Sequence, residues 1–296
     1  GRLGAGAGGR RDGRAGAGER AGRGGGGVWC EPLGVEAEKG VGGGAQGGQN
    51  TPAGTTAYLL RDWGTASEEE YWRGRVYHGS ASSKKKWTEV SGRRLQNLGG
   101  VVHPKGLIPT PVPEWLAAQM AKVRASAGDL LPAPINHVLV NEYQPGDGIL
   151  PHQDGAAYYP AVAIVSLGCD AVMRFAPRRD ETSKETKTSN DDGSLRSGSR
   201  PFGVFLPRRS LLVFDGALYE RYLHGIDAIR EDVIDATVAN RGDVAANDSS
   251  KIRSQSDEDF AAANVDAFPT LRRDRVRVSM TFRNVRVVRA ALRLFG

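Results

Sequence analysis

The stretch NEYQPGDGILPHQDG, residues 141–155, runs from a Pro/Gly-marked turn into His152 and Asp154, two positions apart. Side chains at i and i+2 of an extended segment point to the same side, so an imidazole and a carboxylate are offered together. A bare His-x-Asp also occurs in polar turns whose side chains are simply solvated, so the motif needs its context. His224, in YERYLHGI, stands at a strand end before a glycine. Alone it reads as a packed or solvated histidine. Joined to His152 and Asp154, it completes a two-histidine, one-carboxylate set with open coordination positions, the ligand pattern of non-haem iron(II) oxygenases.

The last strand, RVRVSMTFR, puts Arg275, Arg277, Ser279, Thr281 and Arg283 on one parity and Val276, Val278, Met280 and Phe282 on the other. Period two then gives one apolar and one cationic face. Two readings stay open: an edge strand with wet arginines, or a barrel interior that holds an anion through forked guanidinium contacts. In INHVLVNEY, Asn141 and Tyr143 share a parity and both offer hydrogen bonds.

The elements that must position these residues follow from pattern. SEEEYWRGRVYHG predicts a helix opened by a Ser67/Glu70 capping box. PVPEWLAAQMAKVRASAG predicts a second, with Pro113 near its start, Leu116, Met120 and Val123 on one face, and Gly128 as its stop. After Pro134 come INHVLVNEY, AVAIVSLG, AVMRFAP, FGVFLP, SLLVFDG, RYLHGI and RVRVSMTFRNV, short runs separated by turn residues. Strands at that density predict a sandwich or barrel. Residues 178–201 and roughly 235–270 are polar and aperiodic and are expected to be surface insertions.

The first fifty residues hold twenty of the chain's 40 glycines. Such a segment has too little apolar surface to offset the entropy of ordering it, so residues 1–54 are expected to be a disordered Gly/Arg-rich extension and 55–296 the folded domain. Residues 1–27 carry six arginines against Asp12 and Glu19, which is most of the chain's net +6. Basicity therefore says little about nucleic-acid binding by the folded part. Cys30 and Cys169 have neither zinc spacing nor a disulfide pattern. An intracellular, reduced protein is expected, with no disulfide-linked partner and no membrane span. Nucleus and cytoplasm are the expected locations. Organellar targeting and the true start of the chain stay open.

The ordered set N-x-Y, H-x-D, H and R-x-x-x-x-x-R resembles the AlkB family of Fe(II)/2-oxoglutarate dioxygenases, most closely its sixth-homologue branch of animals and plants. KWTEVSGRRLQNLGG (86–100), NEYQPGDGILPHQDGAAYYP (141–160) and RVSMTFRNV (277–285) carry the likeness, which covers roughly residues 55–290. The resemblance implies a mainly β fold with flanking helices (α+β) around a double-stranded β-helix, or jelly-roll, core. It implies Fe(II) on His152, Asp154 and His224, which are also the catalytic set, with 2-oxoglutarate and O2 as cosubstrates. Arg277 and Tyr143 would take the far carboxylate of 2-oxoglutarate, Arg283 would lie near its other end, and Asn141 would hydrogen-bond it. The expected reaction is oxidative N-demethylation of alkylated DNA or RNA by a monomer.

Substrate residues are suggested by KKKWTEVSGRRLQNLGG, where Trp87, Arg93 and Arg94 could stack a base and track phosphates, and by Tyr158. Equally, Trp87 could sit in the core beneath a solvated charge run, and Tyr158 could simply pack. Base-repairing AlkB proteins usually carry an acid two residues after the metal aspartate, where this chain has Ala156, and Ser279 stands where AlkB has asparagine. The alternatives are therefore a dioxygenase acting on a protein side chain or small molecule, and a non-catalytic nucleic-acid-binding module.

Overall fold

The computed structural model describes residues 31–33, 57–79, 87–178, 200–246 and 268–289. The N-terminal extension (bar 31–33), Lys84 to Lys86, nearly all of the first insertion, much of the second and Cys30 lie outside them.

Strands β1 (Glu31–Leu33) and β2 (Ala57–Leu60) precede helix α1 (Ala66–His78). Then come β3 (Thr88–Val90), β4 (Arg93–Leu98), β5 (Gly100–His103), β6 (Gly106–Pro109) and helix α2 (Glu114–Ala127). Strands β7 (His137–Tyr143), β8 (Ile149–His152), β9 (Ala161–Leu167), β10 (Ala171–Pro177), β11 (Phe202–Leu206) and β12 (Leu211–Asp215) follow. Short helix α3 (Gly216–Arg221) leads into β13 (Tyr222–Ile226). The order closes with β14 (Glu231–Val233), α4 (Gly242–Ala246), β15 (Thr270–Arg272) and β16 (Arg277–Arg283).

Eight strands form one sheet in the order β1-β2-β12-β9-β16-β7-β4-β3, and four form a second in the order β11-β10-β13-β8. Pairing is antiparallel throughout both sheets. Ile164, Leu212 and Phe214 of the larger sheet meet Met173, Phe175, Val204 and Ile226 of the smaller in one apolar cluster. The larger sheet's other face, with Val138, Val140, Val278, Met280 and Phe282, packs against Trp72 and Val76 of α1 and Leu116 and Val123 of α2. This is the mainly β, helix-flanked jelly roll.

Its layering settles the parity question of the last strand. β16 lies between β7 and β9, and all seven of its residues are buried. Even positions face the helices, and odd positions face the space between the sheets. Arg275, just before the strand, is exposed.

Two local expectations change. α1 is capped by Thr65 and Glu68, not Ser67 and Glu70: Glu68 N donates to Thr65 Oγ1 at 3.1 Å, and Thr65 N to Glu68 Oε2 at 2.9 Å. TASEEE contains two overlapping boxes, and the earlier one wins because Thr65 already has extended backbone after the Arg61–Asp62 turn. The segment opening at Asp235 is also not all surface. Val238 and Val244 are buried with Phe205 and Leu271, and Asn240 Oδ1 accepts from Phe205 N at 2.8 Å. Apolar residues spaced too irregularly for a strand or long helix hid that contact. No helix among the described residues is long and apolar enough to cross a membrane.

Candidate metal centre and its cavity

His152 and His224 are cross-strand partners on β8 and β13, two positions from a register shift at Ile149↔Ile226. Leu150 and Pro151 together oppose Gly225, a bulge that re-aims the strand. Ile149 and His152 therefore both face the cavity, while Leu150 is 84% exposed. Gly225 is needed there, since a Cβ would lie 2.8 Å from the Ile149 carbonyl oxygen.

The Leu150 carbonyl also accepts from His152 Nδ1 at 2.9 Å. A carbonyl has no proton to give, so Nδ1 carries a hydrogen, and in the neutral ring the lone pair is on Nε2, the nitrogen that faces Asp154. His152 Nε2 is 4.0 Å and His224 Nε2 3.9 Å from Asp154 Oδ1. Donor atoms from the three residues all lie within 4.8 Å of one another. Phe214 packs edge-on against His224 at 5.4 Å. Burial first, then the neighbouring His152 and Arg283, push the His224 imidazole down to about 4, against the pull of Asp154, so its neutral form prevails.

Asp154 supplies the test of fit. Its side chain is 1% exposed, and Arg283 Nη2 stands 3.0 Å from Oδ1. That approach lacks hydrogen-bond geometry, and both carboxylate oxygens are without a hydrogen-bond partner. A buried carboxylate left unsatisfied is costly, and a cation that coordinates it removes the cost. Two imidazoles and one carboxylate with open positions suit Fe(II).

The three residues line a cavity of about 170 Å³ with Asn141, Tyr143, Arg277, Ser279 and Arg283. Arg277 is 3% exposed, donates from Nη2 to Ser166 Oγ at 3.0 Å, and stands 5.5 Å from the Tyr143 ring centre. No carboxylate pairs with it among the described ion pairs, and Nε is unpartnered. Burial lowers the Arg277 pKa and raises that of Tyr143. A buried fork of this kind lining the pocket is built to receive a carboxylate. Thus all seven residues expected for iron and 2-oxoglutarate meet around one cavity.

The expected substrate residues separate. Arg93 lines the cavity and donates from Nε to Asn141 Oδ1 at 3.0 Å. Arg94, on the opposite parity, points away and makes a two-pronged contact with Glu142, Nε to Oε1 at 2.6 Å and Nη2 to Oε2 at 3.0 Å. Trp87 is half-buried beneath Arg94 at 4.6 Å and packs against the helix-side core. Tyr158 is 7% exposed, and its ring lies 4.8 Å from the Arg283 guanidinium and 6.0 Å from the His137 ring. Of the four, only Arg93 reaches the cavity.

Sequence reasoning passed over Ser166, which holds Arg277, and the cavity-lining Ile149, Ile164 and Met173. Parity along AVAIVSLG would have put Ile164 and Ser166 on one face.

A family model for the 2OG-Fe(II) oxygenase superfamily matches residues 56–283. Among curated proteins, the probable RNA/DNA demethylase ALKBH6 of Danio rerio is 36% identical over 185 residues, 62% of this chain and 75% of that protein. The tRNA (carboxymethyluridine(34)-5-O)-methyltransferase alkbh8 of Xenopus tropicalis is 28% identical over 152 residues, 51% of this chain but 18% of that protein. The solved structure of OsALKBH1 aligns with a TM-score of 0.46 and 16% identity, covering 77% of this chain and 96% of that one.

Proposed function

The chain belongs to the 2OG-Fe(II) oxygenase superfamily, in its AlkB branch, and from that premise we propose that it removes an N-linked methyl group from DNA or RNA. The observation that carries this reading is the buried carboxylate of Asp154, without a hydrogen bond, beside two histidines in a cavity that also holds Arg277. His152, Asp154 and His224 would hold Fe(II), and Arg277 with Tyr143 would hold the far carboxylate of 2-oxoglutarate. When bound, the iron couples oxidative decarboxylation of 2-oxoglutarate by O2, to succinate and CO2, with hydroxylation of a substrate C–H bond. A hydroxylated N-methyl group then leaves as formaldehyde.

The protein's own part is preparation. The Leu150 carbonyl fixes the tautomer of His152, and burial keeps His224 neutral. Ser166 and Tyr143 hold Arg277 in place, and Asn141 is held in turn by Arg93. Leu139, Ile149, Ile164, Met173 and Ile226 give part of the cavity wall an apolar lining, which strengthens the charge interactions beside it.

Nucleic acid is favoured as substrate by the Danio rerio relative, a probable RNA/DNA demethylase. Such a substrate fits a monomer working in the nucleus or cytoplasm, as does the buried free thiol of Cys169. The test is formaldehyde release from a panel of methylated single-stranded oligonucleotides and methylated peptides, with Fe(II) and 2-oxoglutarate. Release from oligonucleotides that His152→Ala abolishes supports the reading. Release from peptides alone transfers the chemistry to a protein side chain, the direction in which Ala156 points.

A further inference from the structure

Two segments leave the site side by side: residues 155–159 follow Asp154, and residues 284–289 follow Arg283. They are zipped together by Tyr159 N to Asn284 O at 3.0 Å and Arg286 N to Ala157 O at 2.9 Å, around a Tyr158–Val285 bridge. The β5–β6 hairpin joins the far side, through Leu107 N to Val287 O at 2.8 Å and Arg289 N to Leu107 O at 2.9 Å. Leu107, Tyr158 and Val285 turn inward as a small apolar cluster. His103, Lys105, Tyr159, Arg286 and Arg289 are left exposed.

The charge on this face is one-sided. Residues 99–113, 155–169 and 284–289 contain no aspartate or glutamate, although the chain has 34 acidic residues. Arg286 is also fixed in place. Its Nε donates to the Tyr158 carbonyl at 2.8 Å, and its guanidinium lies 5.3 Å from the Tyr159 ring centre. An ordered guanidinium with N–H groups to spare receives a phosphate, and a half-exposed ring beside it receives a base by stacking. The groove on the other side of the cavity differs: Arg93 and Arg94 share it with Glu89, Glu142 and Asp147, and Arg94 is already paired. With Arg94 and Glu142 neutralising each other, Glu89 and Asp147 face Arg93 alone, which leaves that groove no positive excess for a phosphodiester chain.

Resting on the nucleic-acid reading above, we infer that Lys105, Tyr159, Arg286 and Arg289 form the track that holds a single-stranded substrate at the cavity. Lys105, Arg286 and Arg289 meet phosphates, and Tyr159 stacks a base next to the one presented for reaction.

The full chain is titrated into fluorescein-labelled single-stranded RNA and DNA 15-mers, read by anisotropy over a salt series. Lys105→Glu with Arg289→Glu should weaken binding at least tenfold at low salt. It should also flatten the slope of log affinity against log salt by more than one, since each lost phosphate contact removes about 0.7 on single strands. Tyr159→Ala should cost about tenfold and Tyr159→Phe almost nothing, because the ring and not the hydroxyl is used. Arg272→Glu with Arg275→Glu, both exposed and away from this face, matches the change in net charge and should leave affinity unchanged. Wild-type binding that every variant of the face retains, slope included, overturns the track while the nucleic-acid reading stands. A wild-type chain that binds no oligonucleotide yet forms succinate with Fe(II) overturns both.

Discussion

Two buried carboxylates lie on either side of strand β7, and they are treated in opposite ways. Glu142, on the outer parity, is 2% exposed and saturated: Tyr77 Oη donates at 2.5 Å, Gln144 Nε2 at 3.0 Å, and Arg94 twice. Asp154, on the cavity side, has a neighbouring guanidinium and no hydrogen bond. The first carboxylate ties β4, β7 and α1 together and has no capacity left for a ligand. The second keeps all its acceptor capacity, and that is what distinguishes a site from a brace. Their neighbours respond accordingly. Burial and the hydrogen bond to Glu142 push the Tyr77 phenol up to about 12, while Arg94 and Tyr77 hold the Glu142 carboxyl below the usual range despite its burial.

The contrast is broken most severely at Asp154. Asp154→Ala should abolish Fe(II)-dependent succinate formation, and it should also lower the stability of the metal-free protein, because it strands the buried Arg283 guanidinium 3.0 Å away. Thermal melts complete the test: saturating Fe(II) at a hundred times Kd raises wild-type stability by about 2.7 kcal/mol and the variant's not at all. A variant that Fe(II) still stabilises as much as wild type would make Asp154 a brace like Glu142.

Acid sharpens the comparison next. His224 and His137 are both held at about 4, chiefly by burial, below the ordinary 6.5. The unfolded chain therefore binds more protons between those values, so stability is full above pH 6.5 and falls as pH drops towards 4, by up to about 3 kcal/mol each. The Glu142 contribution is present above the ordinary carboxylate pKa and is lost only as pH falls through its lowered one. Denaturant midpoints at pH 7.5, 5.5 and 4.5 should show the histidine loss first. A flat profile from 7.5 to 5 contradicts it.

Glu142→Ala should cost about 2 kcal/mol in urea titrations without removing metal-induced stabilisation. It strands Arg94 and Tyr77, though Arg94, one-third exposed, can turn to water. Gln144→Ala should cost the least, about 1 kcal/mol, since three donors to Glu142 remain. A larger loss from Gln144 than from Glu142 would show that the network is not centred on the carboxylate.

The chain made some of this legible and concealed the rest for definite reasons. Residues 275–283 alternate strictly, so the sorting of β16 into a cationic and an apolar face could be read before any coordinates. That both faces are buried could not, because it depends on two helices and a second sheet distant in sequence. His152, Asp154 and His224 were legible as residue types. The bulge that aims His152 was not, since Leu150 and Pro151 look like ordinary strand residues. Arg93 and Arg94 show the limit most plainly: identical neighbours diverge because β4 pairs with β7 and sends one inward to Asn141 and the other outward to Glu142. Neighbouring charges in sequence carry no information about which side of a sheet has a partner waiting.

The direct pairing of His152 with His224 has one more consequence. β8 is only four residues long and forms the margin of its sheet, hydrogen-bonded to β13 alone. An ion gripped by both imidazoles would act as a clasp across that margin, closing a loop of about seventy residues with a bond no side-chain packing supplies. Metal loading should then be felt as slowed amide exchange along β8 before anything else in the molecule tightens, and starvation of iron would loosen this edge first.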